Sequence, residues 1–175
     1  MKKIAVLVMI VSCCLGQGCP IKPGSPRALI TNPCGTDYYK EIFRIGFSPP
    51  PQLNGPTDSP DPGADLTLIW AQGETAALSM SLKAFAGSYS LEQWRDLSLP
   101  LLSDFQVQNE DLTTLRSGEP AWYYLVKSVA NKSLTEAFTV RREGRIFVLS
   151  ANYKPDLPRA EYDSIWDAFA SFCIK

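Results

Sequence analysis

The stretch AWYYLVKSVANKSLTEAFTVRREGRIFVLSANY, residues 121–153, holds three apolar runs separated by Asn131-Lys132 and by Glu143-Gly144. Runs of this length, rich in aromatic and β-branched residues and bounded by turn residues, read as strands joined by tight hairpins. The spacing predicts strands over Ala121 to Val129, Leu134 to Arg142 and Arg145 to Tyr153. A fourth, Val107 to Leu115, precedes the turn at Ser117-Gly118, so the four form an antiparallel meander. Trp122-Tyr123-Tyr124-Leu125-Val126 and Ile146-Phe147-Val148-Leu149 are apolar at successive positions. Because alternate strand residues point to opposite faces, such runs need cover on both sides. Helices are expected to supply it.

Outward from this core, Leu66, Leu68 and Trp70 predict one strand and Leu78, Met80 and Leu82 another, with Gly73-Glu74 in the hairpin between them. Phe43, Ile45 and Phe47 alternate against Ile42, Arg44 and Gly46 in an earlier strand, stopped by Pro49-Pro50-Pro51. Ala28 to Thr31 predicts a further short strand. Ser90 followed by Gln93 is a capping box that opens a helix with Leu91, Trp94, Leu97, Leu101 and Leu102 on one face, broken at Pro100. In the last helix, after Pro158, Tyr162, Ile165, Trp166, Phe169 and Phe172 fall at spacings of three and four. That pattern gives it a broad aromatic face, and a helical Cys173 three turns beyond Tyr162 would point at the sheet too. Between Ser48 and Asp65, six prolines and two glycines predict a long loop, either inert or a contact surface.

The chain opens Met1-Lys2-Lys3, then runs apolar from Ile4 to Val11. That run is far short of the roughly 20 residues that span a bilayer, so it reads as a removable export signal. Ile10-Val11-Ser12-Cys13 resembles the lipobox of bacterial lipoproteins at every position, which implies a thioether-linked diacylglycerol on Cys13 and a signal over residues 1–12. Leu15-Gly16-Gln17-Gly18-Cys19 is the alternative, with Gly16 where an aliphatic residue belongs. Release by a different peptidase, without lipid, is a further alternative. Cys14, in place of the aspartate that marks inner-membrane retention in many bacteria, favours the outer membrane.

Residues 13–33, with Pro20, Pro23, Gly24, Pro26 and Pro33, read as a tether, and residues 34–175 as a single domain. An extended tether from Cys13 to Cys34 would reach about 65 Å at roughly 3.1 Å per residue. Cys34 and Cys173 stand at opposite ends of that domain, where an oxidising compartment lets them pair. Closing so long a loop is worth about 4 to 5 kcal/mol in the chain-entropy model. The alternative is two separate buried thiols.

Eight Phe, seven Tyr and four Trp within 45% hydrophobic content suffice for one core. The 17 basic residues, less Lys2 and Lys3, leave 15 against 18 acidic ones, so the exported part is acidic and has no positive excess for nucleic acid. With no histidine, hydrolytic triads and the commonest metal ligand are missing, and the cysteines have no C-x-x-C spacing. No cofactor or metal is expected. The carboxylate pairs Glu110-Asp111 and Asp163-Asp167 are the remaining candidates for acid and base work, and solvated surface is the reading preferred for both. Arg141, Arg142 and Arg145 around Glu143-Gly144 are candidates for anion or partner contact, or a soluble turn. Trp122, Tyr123 and Tyr124 are core or a ligand groove. Asn131-Lys132-Ser133 matches the glycosylation triplet, which a bacterial lipobox makes accidental.

The strand ending Phe47-Ser48-Pro49, the hairpin into Leu78 to Lys83, the capped helix, the run Gly144-Arg145-Ile146-Phe147-Val148-Leu149-Ser150-Ala151 and the closing helix ending Ser171-Phe172 together resemble the PsbP fold over residues 38–173. That family includes extrinsic photosystem subunits, a Ran-binding nuclear transport factor and many bacterial lipoproteins of unknown role. The resemblance implies an α/β (α+β) sandwich: a central antiparallel sheet of about six strands flanked by helices on both faces. It also implies a non-enzymatic tendency, and no site residues. The expected protein is a monomeric, membrane-anchored envelope module that binds another envelope protein through a sheet edge or the Pro-rich loop. The alternative is a carrier that holds a small apolar molecule or lipid in a cleft between sheet and helix.

Overall fold

In the computed structural model, the described residues are 38–40, 44–73, 77–99, 103–115 and 117–174. The signal, the tether, Cys13, Cys19, Cys34, the strand expected at Ala28 to Thr31, and Leu101 and Leu102 lie outside them. Strands and helices follow in the order β1 (Tyr38–Lys40), β2 (Ile45–Phe47), β3 (Asn54–Asp58), β4 (Leu66–Ala71), β5 (Leu78–Ala86), α1 (Leu91–Ser98), β6 (Phe105–Thr114), β7 (Pro120–Ser128), β8 (Leu134–Arg142), β9 (Arg145–Tyr153), α2 (Arg159–Ser171) and β10 (Cys173–Ile174). Seven strands form one antiparallel sheet in the order β3-β4-β5-β9-β8-β7-β6, and β1-β2-β10 form a small second sheet.

The meander falls where the hydrophobic runs put it. Its β8–β9 hairpin turns on Glu143 and Gly144, both with positive φ (49° and 73°), the geometry a two-residue turn needs to match strand twist. The inner face of the sheet carries Leu68, Trp70, Met80, Leu82, Tyr123, Phe138, Val140, Leu149 and Ala151 in one buried cluster. The aromatic side of α2 closes it: Phe138 meets Phe169 at 5.1 Å and Trp166 at 6.1 Å between ring centroids. The small sheet covers the rest, with Ile45, Phe47 and Ile174 buried in the same cluster and Phe47 edge-on to Trp70 at 4.9 Å.

The expected sandwich of about six strands between helical layers is overturned. The fold is mostly β, the sheet has seven strands, and the inner cover is shared between one helix and a second sheet. On the outer face α1 stands over one corner only, where Trp94 packs on Phe85 (4.9 Å) beside Ala137, Ile146, Val148 and Tyr124. Across part of β5, β8 and β9 that face is polar and needs no helix: Ser81 bonds Ser150 at 2.8 Å, and Asn152 donates to Thr135 at 2.9 Å.

Three local readings are also corrected. The proline-rich segment holds the strand β3, because an edge strand with a register shift tolerates Pro56, preceded by a cis Gly55-Pro56 bond. Helix α1 does have the Ser90 and Gln93 capping box and stops at Ser98, two residues before Pro100, but its Leu97 is 53% exposed rather than on the packed face. Helix α2 ends at Ser171, so Cys173 sits on β10 opposite Gly46 and is buried through strand pairing, not through a fourth helical turn.

Candidate functional site

The sheet has two edges of different character. At β3 the edge is five residues, with a proline and an irregular register against β4, devices that discourage pairing with another strand. At β6 it is ten residues without proline, paired to β7 along its whole length except for one bulge between Val107 and Asn109. No strand covers its far side among the described residues. Val107 and Leu112 on this strand are 46% and 51% exposed, and Val129, whose amide bonds Asp104 beside it, is 47% exposed. Among the described residues, three of the five large exposed apolar side chains therefore gather at one edge, which is where a binding surface is sought.

Register fixes what this edge presents. Leu112 lies opposite Trp122, Glu110 opposite Tyr124 and Val107 opposite Val126, so all three share the face that carries α1. The bulge makes this possible: the extra residue restores the parity that a three-residue step from Val107 to Glu110 would break. Asp111, opposite Tyr123, points to the other face. Glu110 and Asp111 consequently diverge and cannot work as an acid and base pair. Neither has an ion-pair partner within 4.0 Å among the described residues, and the nearby Arg95 is bonded to Asp96 at 2.9 Å.

The other expected clusters are also dispersed or tied down. Asp163 accepts from Arg159 Nε at 2.9 Å, while Asp167 is exposed. Around the β8–β9 turn, Arg142 donates to Glu119 at 2.8 Å and Arg145 lies 3.5 Å from Asp65, leaving Arg141 as the exposed member. Tyr123 lies on the inner face, whereas Trp122 and Tyr124 meet at 4.7 Å between ring centroids, tilted by 39°, on the outer one, so the three do not line one groove. Burial alone pushes the Tyr124 hydroxyl up to about 12. Trp122 Nε1 and Thr139 Oγ1, on facing residues of β7 and β8, are buried without a hydrogen-bond partner. Asn131 Oδ1 accepts from the amide and hydroxyl of Ser133 and serves its turn. Cys173 is 3% exposed and not free; its expected partner Cys34 is outside the described residues.

One chemically notable group was not anticipated. Glu136, the third residue of β8, is 0% exposed, and its two carboxyl oxygens accept from Tyr123 Oη at 2.5 Å and Tyr153 Oη at 3.0 Å. Burial raises its pKa against the lowering effect of both hydrogen bonds, and burial together with the carboxylate's charge raises both tyrosines. The tyrosines thus remain protonated donors. The alternation Leu134, Glu136, Phe138, Val140 places Glu136 on the buried face, a signal that parity alone carries.

Comparison with known proteins agrees with the fold and stops there. No protein-family model matches the chain, and no curated protein matches its sequence. Among solved structures it is similar to the cyanobacterial PsbP, CyanoP, of Synechocystis sp. PCC 6803, with a TM-score of 0.59 and 12% identity over 88% of this chain and 100% of that one. The fold is PsbP-like. A Bacteroides thetaiotaomicron VPI-5482 protein gives 0.49 and 10% over 81% of this chain and 49% of that one. A Pseudomonas aeruginosa protein of unknown function gives 0.43 and 14% over 65% and 95%.

Glu136 makes stability depend on pH in a defined direction. Its folded pKa is raised, so its contribution is full below the ordinary glutamate value of 4.5 and is lost as pH climbs through the folded value. Chemical denaturation from pH 4 upward should show stability declining over that window, and Glu136→Gln should flatten the decline. Glu136→Ala, which leaves two buried hydroxyls unpaired, should cost on the order of 3 kcal/mol. Unchanged slopes in Glu136→Gln would show that the carboxyl does not control this behaviour.

Proposed function

We propose that the protein is a lipid-anchored, extracytoplasmic accessory module that binds another envelope protein without catalysis, using the β6 edge as its contact. The open ten-residue edge with its apolar flank carries this reading. Main-chain groups on an uncovered edge offer hydrogen bonds to an incoming segment, and side chains on alternate positions select it. The lipobox residues Ile10 to Cys13 and the Pro-rich tether support anchoring at a distance from the membrane, facing the periplasm, with the outer membrane favoured. The carrier alternative is less well supported. The space between sheet and α2 is filled by Tyr123, Phe138, Trp166 and Phe169 in mutual ring contact, leaving little room there for an apolar guest.

In this reading Cys34 bridges Cys173 and ties the end of the tether to the small sheet. The support is an exported chain and a buried Cys173 that is not free.

Three measurements test the proposal. Labelled palmitate should enter the expressed protein and its Cys19→Ala variant but not Cys13→Ala; label retained in Cys13→Ala but lost in Cys19→Ala would move the anchor, and no label in any of them would remove it. Alkylation without reductant should leave Cys34 and Cys173 unmodified, and reductant should add two alkyl groups by mass; modification without reductant would break the bridge. Affinity capture from detergent-solubilised envelopes should recover a stoichiometric partner with wild type and with Arg141→Ala, and lose it with Leu112→Arg. Equal recovery with Leu112→Arg would place the contact elsewhere.

A further inference from the structure

The β6 edge presents a pattern that specifies its occupant, and this inference rests on that edge being the contact. We propose that β6 receives an extended cationic segment of the partner protein as an eighth strand of the sheet. Glu110 and Asp111 stand at the middle of the strand, one on each face, and both are exposed and without an ion pair among the described residues. Asp104 adds a further exposed carboxylate immediately before the strand. Arg95 gives its hydrogen bonds to Asp96 and acts on Glu110 only through charge, without a direct ion pair. A Lys or Arg directly across from each central carboxylate forms a cross-strand pair worth about 0.2 to 1 kcal/mol, on top of the main-chain ladder.

A second copy of the chain is the obvious competitor for an open edge, and the same residues disfavour it. Antiparallel two-fold pairing about the centre of β6 brings four carboxylates, Glu110 and Asp111 from each copy, within two residues of the axis. Like charges facing each other across a ladder repel. On the face that carries α1, Val107 and Leu112 bracket Glu110, so the segment that fits is apolar, then cationic, then apolar at successive positions of one face. On the other face it places a second cation opposite Asp111. The bulge at Val107 shifts the parity at one end, which sets where along β6 a regular strand can pair.

The test uses the full-length protein in detergent and three fluorescent, end-capped nonapeptides of alternating valine and threonine. One has two central lysines, one has two central glutamates, and one is the lysine peptide N-methylated at alternate residues. The lysine peptide should bind at least tenfold more tightly than the glutamate peptide by anisotropy at low salt, and protect β6 amides from hydrogen exchange. The N-methylated peptide should not bind. Glu110→Lys with Asp111→Lys should reverse the preference, and Glu110→Gln with Asp111→Asn, a milder change of the same surface, should erase it. Equal binding of both charged peptides, no binding of either, or a preference that survives both double variants would overturn the cationic strand. If the envelope partner is nonetheless lost with Leu112→Arg, the edge contact stands and only the chemistry of its occupant is wrong.

Discussion

The structure depends on one apolar surface that has to be closed, the inner face of the seven-stranded sheet. Tyr123, Phe138 and Leu149 line its centre, and the aromatic side of α2 presses onto them. A helix of 13 residues is too short to cover seven strands, and the uncovered end is finished by β1, β2 and β10, brought there by the chain before β3 and the chain after α2. Two hydrogen bonds fasten this second cover to the first: the Ser48 amide donates to Ser171 Oγ at 2.7 Å, and Gln52 Nε2 to Ser164 Oγ at 2.7 Å. The strands at the two ends of the described residues, β1 and β10, therefore meet through β2 on the same side of the large sheet.

Placing a carboxyl in that surface costs desolvation, and two tyrosine hydroxyls offset part of it. Tyr123 and Tyr153 come from the strands on either side of Glu136, opposite Phe138 and Leu134 respectively, so the two bonds run diagonally and staple β7, β8 and β9 together. A shift of either neighbour by one residue would turn its tyrosine to the outer face and leave one oxygen of the buried carboxyl without its donor. The group thus penalises wrong registers more strongly than it stabilises the right one.

The meander was legible because its period and its turn residues agree. Leu134, Phe138 and Val140 alternate, and Glu143-Gly144 supplies the positive φ that its hairpin requires. Other features were hidden where local chemistry misleads. Pro56 argues against a strand unless the strand is known to lie at an edge, and that is a property of the whole sheet. Leu97 has the right spacing for a buried helical position, yet α1 touches only a corner of the sheet, so its far turn has nothing to pack on. Cover on both faces was inferred from Trp122 and Tyr124, but the serines and Asn152 further across the same face show that only part of it needed burial. The candidate edge was the least legible of all, since Glu110 and Asp111 read as ordinary solvated residues until the strand order leaves β6 outermost.

That outermost position gives the two carboxylates a double consequence. An uncovered strand of this length invites pairing with any extended chain, a second copy of the protein included. Repulsion between acidic strand centres lowers the lifetime of such self-pairs while leaving the main-chain groups available. The same field lowers the energy of a cationic strand at the same place, so a single feature excludes the commonest wrong occupant and favours a right one. Blunting with proline, as at β3, would have removed both options together. The difference between the two edges is what a sheet requires if it is to be closed on one side and selectively open on the other.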